Sequence, residues 1–311
     1  MSKNIFRKAV VFNAAMLGGM HAINLAISSG SVKGLLRSDK GSFFESRHGK
    51  LYYQVSGKGT SPILFLHNAD SSGSAYEWFY LSKELSDRYR IYAIDLPGCG
   101  RSEKQPIQYT NYMIALMLND FIRQVIGSPV HICGVGLSGS FAVTAASLDP
   151  SFYSRITMIN PVSMKRLQSG LSEHAKALRF LLSLPVIGTT IYHLVMSRSA
   201  TEYSLKEECF FNPFLVQQST MDAFYEGSHT DYGKGRYFLA SLNGGYLYWD
   251  ISSAFSKLTI PVTILYGQEY KNASSIALEY ARCNANVSIH AIQKTKLLPH
   301  LENPQAVAVF L

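Results

Sequence analysis

Past residue 41 the chain alternates short apolar runs with longer helical patterns, and this alternation constrains the fold more than any other feature. Pro62–His67 is a continuous apolar run, the pattern of a strand buried on both faces. Arg90–Asp95, Val130–Gly134, Ile156–Asn160, Ile260–Tyr266 and Val287–Ile292 also read as strands. Ala75–Leu85 and Asn111–Ile126 carry helical spacing between them. In the second, Met113, Ile114, Met117, Phe121, Ile122 and Val125 share one face, and Gly127 can stop the helix. Strands separated by helices predict an α/β fold with a mostly parallel central sheet flanked by helices. Phe43–Arg47 and Leu51–Ser56, turned at His48–Gly49, read as an opening strand pair, and a short helix from Pro304 closes the chain.

Between about Val162 and Ala254 the strand pattern vanishes. The stretch is helical and dense in aromatics, among them Phe180, Tyr192, Phe210, Phe224, Tyr237, Phe238 and Trp249. An insertion of this size between core strands predicts a lid over a site. Its aromatics could line an apolar pocket, although most are expected simply to pack the lid on the body. The expected division is therefore an N-terminal apolar helix over 1–28, a linker over 29–41 rich in Ser, Gly and Lys, a core over 42–161 and 255–311, and a helical lid over 162–254.

The first segment stands apart. Lys3, Arg7 and Lys8 precede a mostly apolar run of 19 residues, Ala9 to Ile27, near the minimum that spans a bilayer. Asn13, His21 and Asn24 interrupt it, and on a helix they fall within about 80° of one another. Ala14, Gly18 and Ala22, with Ala15 and Gly19 beside them, leave room for another helix to approach. Three readings stand: a membrane-anchoring helix, with contact through residues 9–27; a signal segment, though without a clear A-x-A site; or a helix packed on the domain or a partner. Lys33, Arg37 and Lys40 balance the basic residues on the other flank, so the side of the membrane is unreadable.

Composition narrows the partners. The 29 Lys and Arg against 21 Asp and Glu give a net charge of +8, but the basic residues are scattered and no nucleic-acid motif accompanies them. Nucleic acid is therefore not an expected partner. Cys99, Cys133, Cys209 and Cys283 show no CxxC spacing, and the nine histidines contain no HxxxH pair. No metal, no cofactor and no disulfide framework is expected; Cys99 and Cys133 read as small core filler. Oligomeric state is not legible.

Several stretches together resemble the α/β-hydrolase family: Leu64-Phe65-Leu66-His67-Asn68, the D-x-P-G-x-G-x-S turn from Asp95 to Ser102, Ile159-Asn160-Pro161, Pro261 to Gly267, and Leu298-Pro299-His300-Leu301-Glu302-Asn303-Pro304. Order and spacing match from about Phe43 to Pro161 and again from about Trp249 to the end. The resemblance implies a cap-bearing serine esterase or lipase architecture. In that family a sharp G-x-S-x-G bend presents a serine, a histidine removes its proton and an acid orients the histidine.

The bend here is Gly134-Val135-Gly136-Leu137-Ser138-Gly139-Ser140, and two registers fit. In one, the nucleophile position falls on Gly136, which has no nucleophile. In the other, Ser138 is the nucleophile; this needs a strand two residues longer and a helix two residues shorter. The family's acid position falls on Tyr270, with Glu269 one residue earlier, and its histidine position on Leu297, with His300 three residues later. Ser138, Glu269 and His300 thus form a candidate displaced triad. Each also has an ordinary role: a small residue in a tight turn, a surface carboxylate, a packed loop histidine. Backbone N–H groups of Ala69 and Leu137 are the candidate oxyanion donors. Asn68 and Asp70 are pocket candidates, although Asp70 could equally turn the chain with Ser71, Ser72 and Gly73.

The leading expectation is a hydrolase-fold protein with a degenerate triad, binding a small apolar or ester-like ligand or a partner, with a membrane as one candidate setting. The alternative is an active carboxylic-ester hydrolase using Ser138 and His300. A third class, a lyase or isomerase with a lid residue as acid or base, names no residue.

Overall fold

A computed structural model describes residues 3–37, 41–169 and 173–311; Lys40 and the end of the expected linker lie outside the described residues. After helix α1 (Lys3–Ser31) come strands β1 (Gly41–Ser46), β2 (Gly49–Ser56) and β3 (Ser61–Leu66). A 3-10 turn, Ala75–Trp78, leads into α2 (Phe79–Leu85), then β4 (Tyr89–Ile94), α3 (Asn111–Phe121), β5 (Val130–Val135), α4 (Ser138–Leu148) and β6 (Tyr153–Ile159). The lid holds α5 (Met164–Leu167), α6 (Glu173–Ser183), α7 (Ile187–Val195), α8 (Arg198–Tyr203), α9 (Gln218–His229), α10 (Arg236–Asn243) and α11 (Ser252–Ser256). The core resumes with β7 (Val262–Gly267), α12 (Ala273–Cys283), β8 (Val287–Ile292), α13 (Pro299–Glu302) and α14 (Pro304–Ala308).

The strands form one eight-stranded sheet in the order β1-β2-β4-β3-β5-β6-β7-β8. β1 and β2 pair antiparallel, as does β2 with β4, and every later pairing is parallel. The apolar run of β3 explains its central place. Alternate side chains of a strand point to opposite faces, so Leu64 and Leu66 enter one core with Ile114 and Phe141, while Ile63 and Phe65 enter the other with Trp78 and Leu265. Removing the side chain of a fully buried leucine such as Leu64 costs about 2–5 kcal/mol.

The expected helix over 111–126 forms, capped by Thr110, whose hydroxyl accepts the Met113 N–H, and stopped by Gly127 at φ +72°. Its last turn, Ile122–Ile126, is a π turn rather than α-helix. The Asp95–Ser102 turn is a structural clamp. Asp95 accepts N–H groups from Ala75 and Arg101, and Ser102 Oγ donates to the Asp95 carbonyl while accepting the Tyr52 N–H. A Cβ on Gly100, at φ +49°, would stand 2.3 Å from an Asp95 oxygen, so glycine is needed there.

Helix α1 runs three residues beyond its expected end and docks on the lid by its polar side. Asn24 donates to the Val186 carbonyl at 3.0 Å, Ser28 Oγ lies 3.1 Å from His193 Nε2, and Ser31 donates to Tyr225 at 3.0 Å. Asn13 and His21, from the same expected stripe, remain exposed. So do Ile5, Phe6, Val10, Val11, Phe12, Met16 and Ile23. Gly18 and Gly19 have nothing within contact distance, so among the described residues no helix uses the small-residue row. The described part of the stretch read as a linker is tied down: the buried Glu226 carboxylate accepts N–H groups from Lys33, Leu35 and Leu36.

Candidate functional site

The bend after β5 is built by Gly136. Its φ of +57° lies in the left-handed region, and its N–H donates to the Ile159 carbonyl at 2.8 Å, locking the bend to β6. β5 ends at Val135 and α4 begins at Ser138, so the summit of the turn is Gly136, the first of the two registers. Directly over it lies the Asn68 amide: a Cβ at Gly136 would meet Asn68 Oδ1 at 2.4 Å.

Ser138 sits in the first turn of α4, wholly buried, and its hydroxyl donates to the His67 carbonyl at 2.6 Å. His67 in turn accepts the Leu96 N–H on Nε2 at 2.9 Å, which places its own proton on Nδ1, 2.7 Å from the Asn68 carbonyl. His300 is also wholly buried, stacked on Trp78 with ring centroids 4.5 Å apart. Trp78 stacks on Phe65 on its other side. Burial holds the His300 imidazole neutral, lowering its pKa to about 3. Neither ring nitrogen makes a hydrogen bond among the described residues; the nearest acid is Glu77, with Nε2 to Oε2 at 3.5 Å. Glu269 is exposed, and its backbone N–H donates to Thr295. The structure therefore joins Ser138, Glu269 and His300 by no hydrogen bond among the described residues.

Tyr270 is half-buried, with its phenol pKa raised by burial, and its N–H donates to the Gly267 carbonyl. Leu297 is held by Asn160, at the end of β6, whose amide donates to the Lys296 and Leu297 carbonyls and accepts the Gly267 N–H. One side chain thus ties together three loops at the edge of the sheet. Among the described residues the backbone N–H groups of Ala69 and Leu137 have no hydrogen-bond partner.

A cavity of about 270 Å³ opens between this edge and the lid. Asn68 and Asp70 line it, as do Ser72, Glu77, Leu297 and Leu298 from the body. Val195, Met196, Leu205, Glu208 and Phe224 come from the lid. Ala69, Leu137, Ser138, Glu269, Tyr270 and His300 are not in its wall. Asp70 also makes the turn expected of it, accepting from the Ser72 N–H and hydroxyl. Of the lid aromatics, only Phe224 reaches this cavity wall.

The sequence marks no role for Glu77, and it names Asn160 only as part of a strand end, without its contacts to the Gly267 and Leu297 loops. Glu77 is 1% exposed; Oε2 accepts the Asn68 N–H at 3.1 Å, and Oε1 has no partner. Burial pushes its pKa up to about 7, against the opposing pull of His67 and the Asn68 N–H. The available signal was a lone carboxylate beside Trp78, in the opening turn of a segment otherwise read as a packed helix.

Comparison with known proteins agrees with this fold. The chain is 23% identical over 231 residues to a pimeloyl-[acyl-carrier protein] methyl ester esterase of Aliivibrio fischeri (strain MJ11), covering 70% of this chain and 78% of that one. It is 26% identical over 125 residues to the dihydrolipoyllysine-residue acetyltransferase component of an acetoin cleaving system from Cupriavidus necator, covering 40% of this chain but only 33% of that relative. A carboxylesterase from Bacillus subtilis superposes with a TM-score of 0.68 at 16% identity, covering 94% of this chain and 96% of that one, which speaks for the fold alone. Residues 63–309 match the model of the family described as "Alpha/beta hydrolase family", and the chain belongs to that family.

Proposed function

We propose that this protein is a non-catalytic α/β-hydrolase homologue that binds a small ligand in the cavity beneath its lid and is held at a membrane by α1. The observation that carries the first part is the glycine at the left-handed summit of the bend. A nucleophile must project from that point, and here the space above it holds the Asn68 amide. Tyr270 and Leu297 stand where the family's acid and histidine are expected, and Ser138 spends its hydroxyl proton on a backbone carbonyl. The nearby hydrolytic relatives supply the ancestry and the expectation of a small-molecule ligand.

The membrane part rests on the inverted pattern of α1. Its polar residues near Asn24 face the lid, while a long apolar surface has no protein partner among the described residues. Within Ile5–Ser31 the most apolar 18-residue stretch has a mean hydropathy of 1.5.

A fluorophosphonate probe, read by intact mass, tests the loss of catalysis: no adduct is expected. Stoichiometric labelling of a serine, with ester turnover falling about a thousandfold in Ser138→Ala, would overturn the reading in favour of an active esterase.

A further inference from the structure

The cavity has a chemical polarity that its family does not dictate. Among the described residues its wall contains three carboxylates, Asp70, Glu77 and Glu208, and neither lysine nor arginine. Two of these are engaged: Asp70 Oδ1 accepts from Ser72, and Glu208 accepts the Ser204 hydroxyl. Glu77 is different. It is nearly wholly buried, it forms part of the wall, and Oε1 is unpartnered. A buried carboxyl oxygen left without a partner is destabilising, more so when charged, and a ligand that supplies a donor recovers that cost. An apolar patch of Val195, Met196, Leu205, Phe224, Leu297 and Leu298 completes the wall together with uncharged polar groups of Asn68, Ser72, Thr201 and Ser204. The cavity's volume, about 270 Å³, lies just under the range of about 300–1,000 Å³ usual for drug-sized ligands.

From the free Glu77 oxygen in a wall that carries acidic and apolar groups but no cation among the described residues, we propose that the cavity binds a small organic ammonium ion, its charged nitrogen donating to Glu77 and its apolar body lying against the lid residues. This names the ligand of the binding site proposed above. A carboxylate or phosphate ligand would face three acidic groups with no counter-charge. An uncharged ester or alcohol could fill the apolar part but would leave most of the electrostatic complementarity unused.

The groups around Glu77 set how binding responds to pH. On its own loop and strand it faces His67, the Asn68 N–H and Asp70. From the packed elements come His300 on α13 and the Cys99 and Cys209 thiols. His300 stays neutral and both thiols are raised by burial. The Glu77 proton is therefore the one a cation would displace near neutral pH.

The test uses the full chain in nanodiscs of zwitterionic lipid and three matched probes: benzylamine, benzyl alcohol and benzoate. Calorimetry at pH 7.5 should show benzylamine binding at least about tenfold more tightly than either other probe. Glu77→Gln, which keeps shape and hydrogen-bonding capacity, should reduce the amine preference to about twofold or less and leave benzyl alcohol within about twofold. Circular dichroism shows whether the variant folds. The unmodified protein gives a second reading: at pH 6, benzylamine binding should release protons, seen as a heat that varies with the buffer's ionisation enthalpy. Benzoate binding as well as benzylamine, no binding of benzylamine at 10 mM (an order-of-magnitude ceiling for a fragment of this size), or amine binding without proton release at pH 6 would overturn the proposal. Each outcome is separate from the fluorophosphonate result. Loss of amine selectivity leaves a silent hydrolase fold standing, and labelling of a serine leaves amine recognition standing.

Discussion

At Gly136 the left-handed φ serves the bend itself, because no side chain is presented from it. An L-residue held in this conformation costs about 1–2 kcal/mol. Gly136→Ala should therefore destabilise the protein by about that much, with a further small cost for displacing the Asn68 amide. Adding Asn68→Gly should recover only the steric part. Urea midpoints of the single and double variants measure both terms, and an unchanged midpoint in Gly136→Ala would show that the bend relaxes. The choice of register at this bend was open in the sequence because Gly134-x-Gly136-x-Ser138 repeats at a spacing of two; in the structure β5 ends at Val135 and α4 begins at Ser138. The roles of Glu77 and Asn160 were illegible for a different reason. Their importance comes from partners far along the chain, Asn160 with Leu297 for example, and no local spacing encodes such a contact.

Elements were more legible than contacts. Central strands announced themselves as apolar runs, because burial on both faces removes the polar alternation that would make a strand ambiguous. The helical segment between β6 and β7 was legible as a gap in that pattern. What the first helix touches was not: its expected polar stripe included Asn13 and His21, but the docked seam is Asn24, Ser28 and Ser31. The segment after it looked like a loose connector by composition, yet Glu226 fastens it with three N–H bonds. Replacing Glu226 by Ala leaves those donors without their acceptor, a change worth about 1–3 kcal/mol for a buried group. Limited trypsinolysis should then cut rapidly after Lys33 or Arg37 while the body stays intact. Unaltered protection of both sites would mean that the segment is held by something other than this carboxylate.

For the whole molecule, buried titratable groups predict an acid-sensitive fold. Burial lowers the pKa of His131 and His300 to about 3 and of His193 to about 4, from 6.5. These imidazoles stay neutral in the fold while the unfolded chain takes up protons, so their contribution is fully present above pH 6.5 and is lost as pH falls toward 4 and below. Glu77 works in the opposite sense: raised from 4.5 to about 7, its contribution is present below pH 4.5 and fades as pH rises to 7. His229 is lowered by burial as well and Glu302 raised, so four histidines oppose two carboxyls and the urea midpoint should drop between pH 6.5 and 4.5. In Glu77→Gln the drop should be steeper, since one opposing group is gone. A midpoint flat across that window in the unmodified protein would contradict this.

The attachment of α1 to the lid, rather than to the sheet, reverses the usual frame of reference for a lidded enzyme fold. Ser28 reaches His193, and Val195 and Met196, two and three residues further on, form part of the cavity's ceiling. If the first helix is fixed in a bilayer, the ceiling is the stationary part and the α/β body hangs beneath it. Lateral tension would then reach the ligand's apolar contacts within a single turn of α7, before it reached any strand.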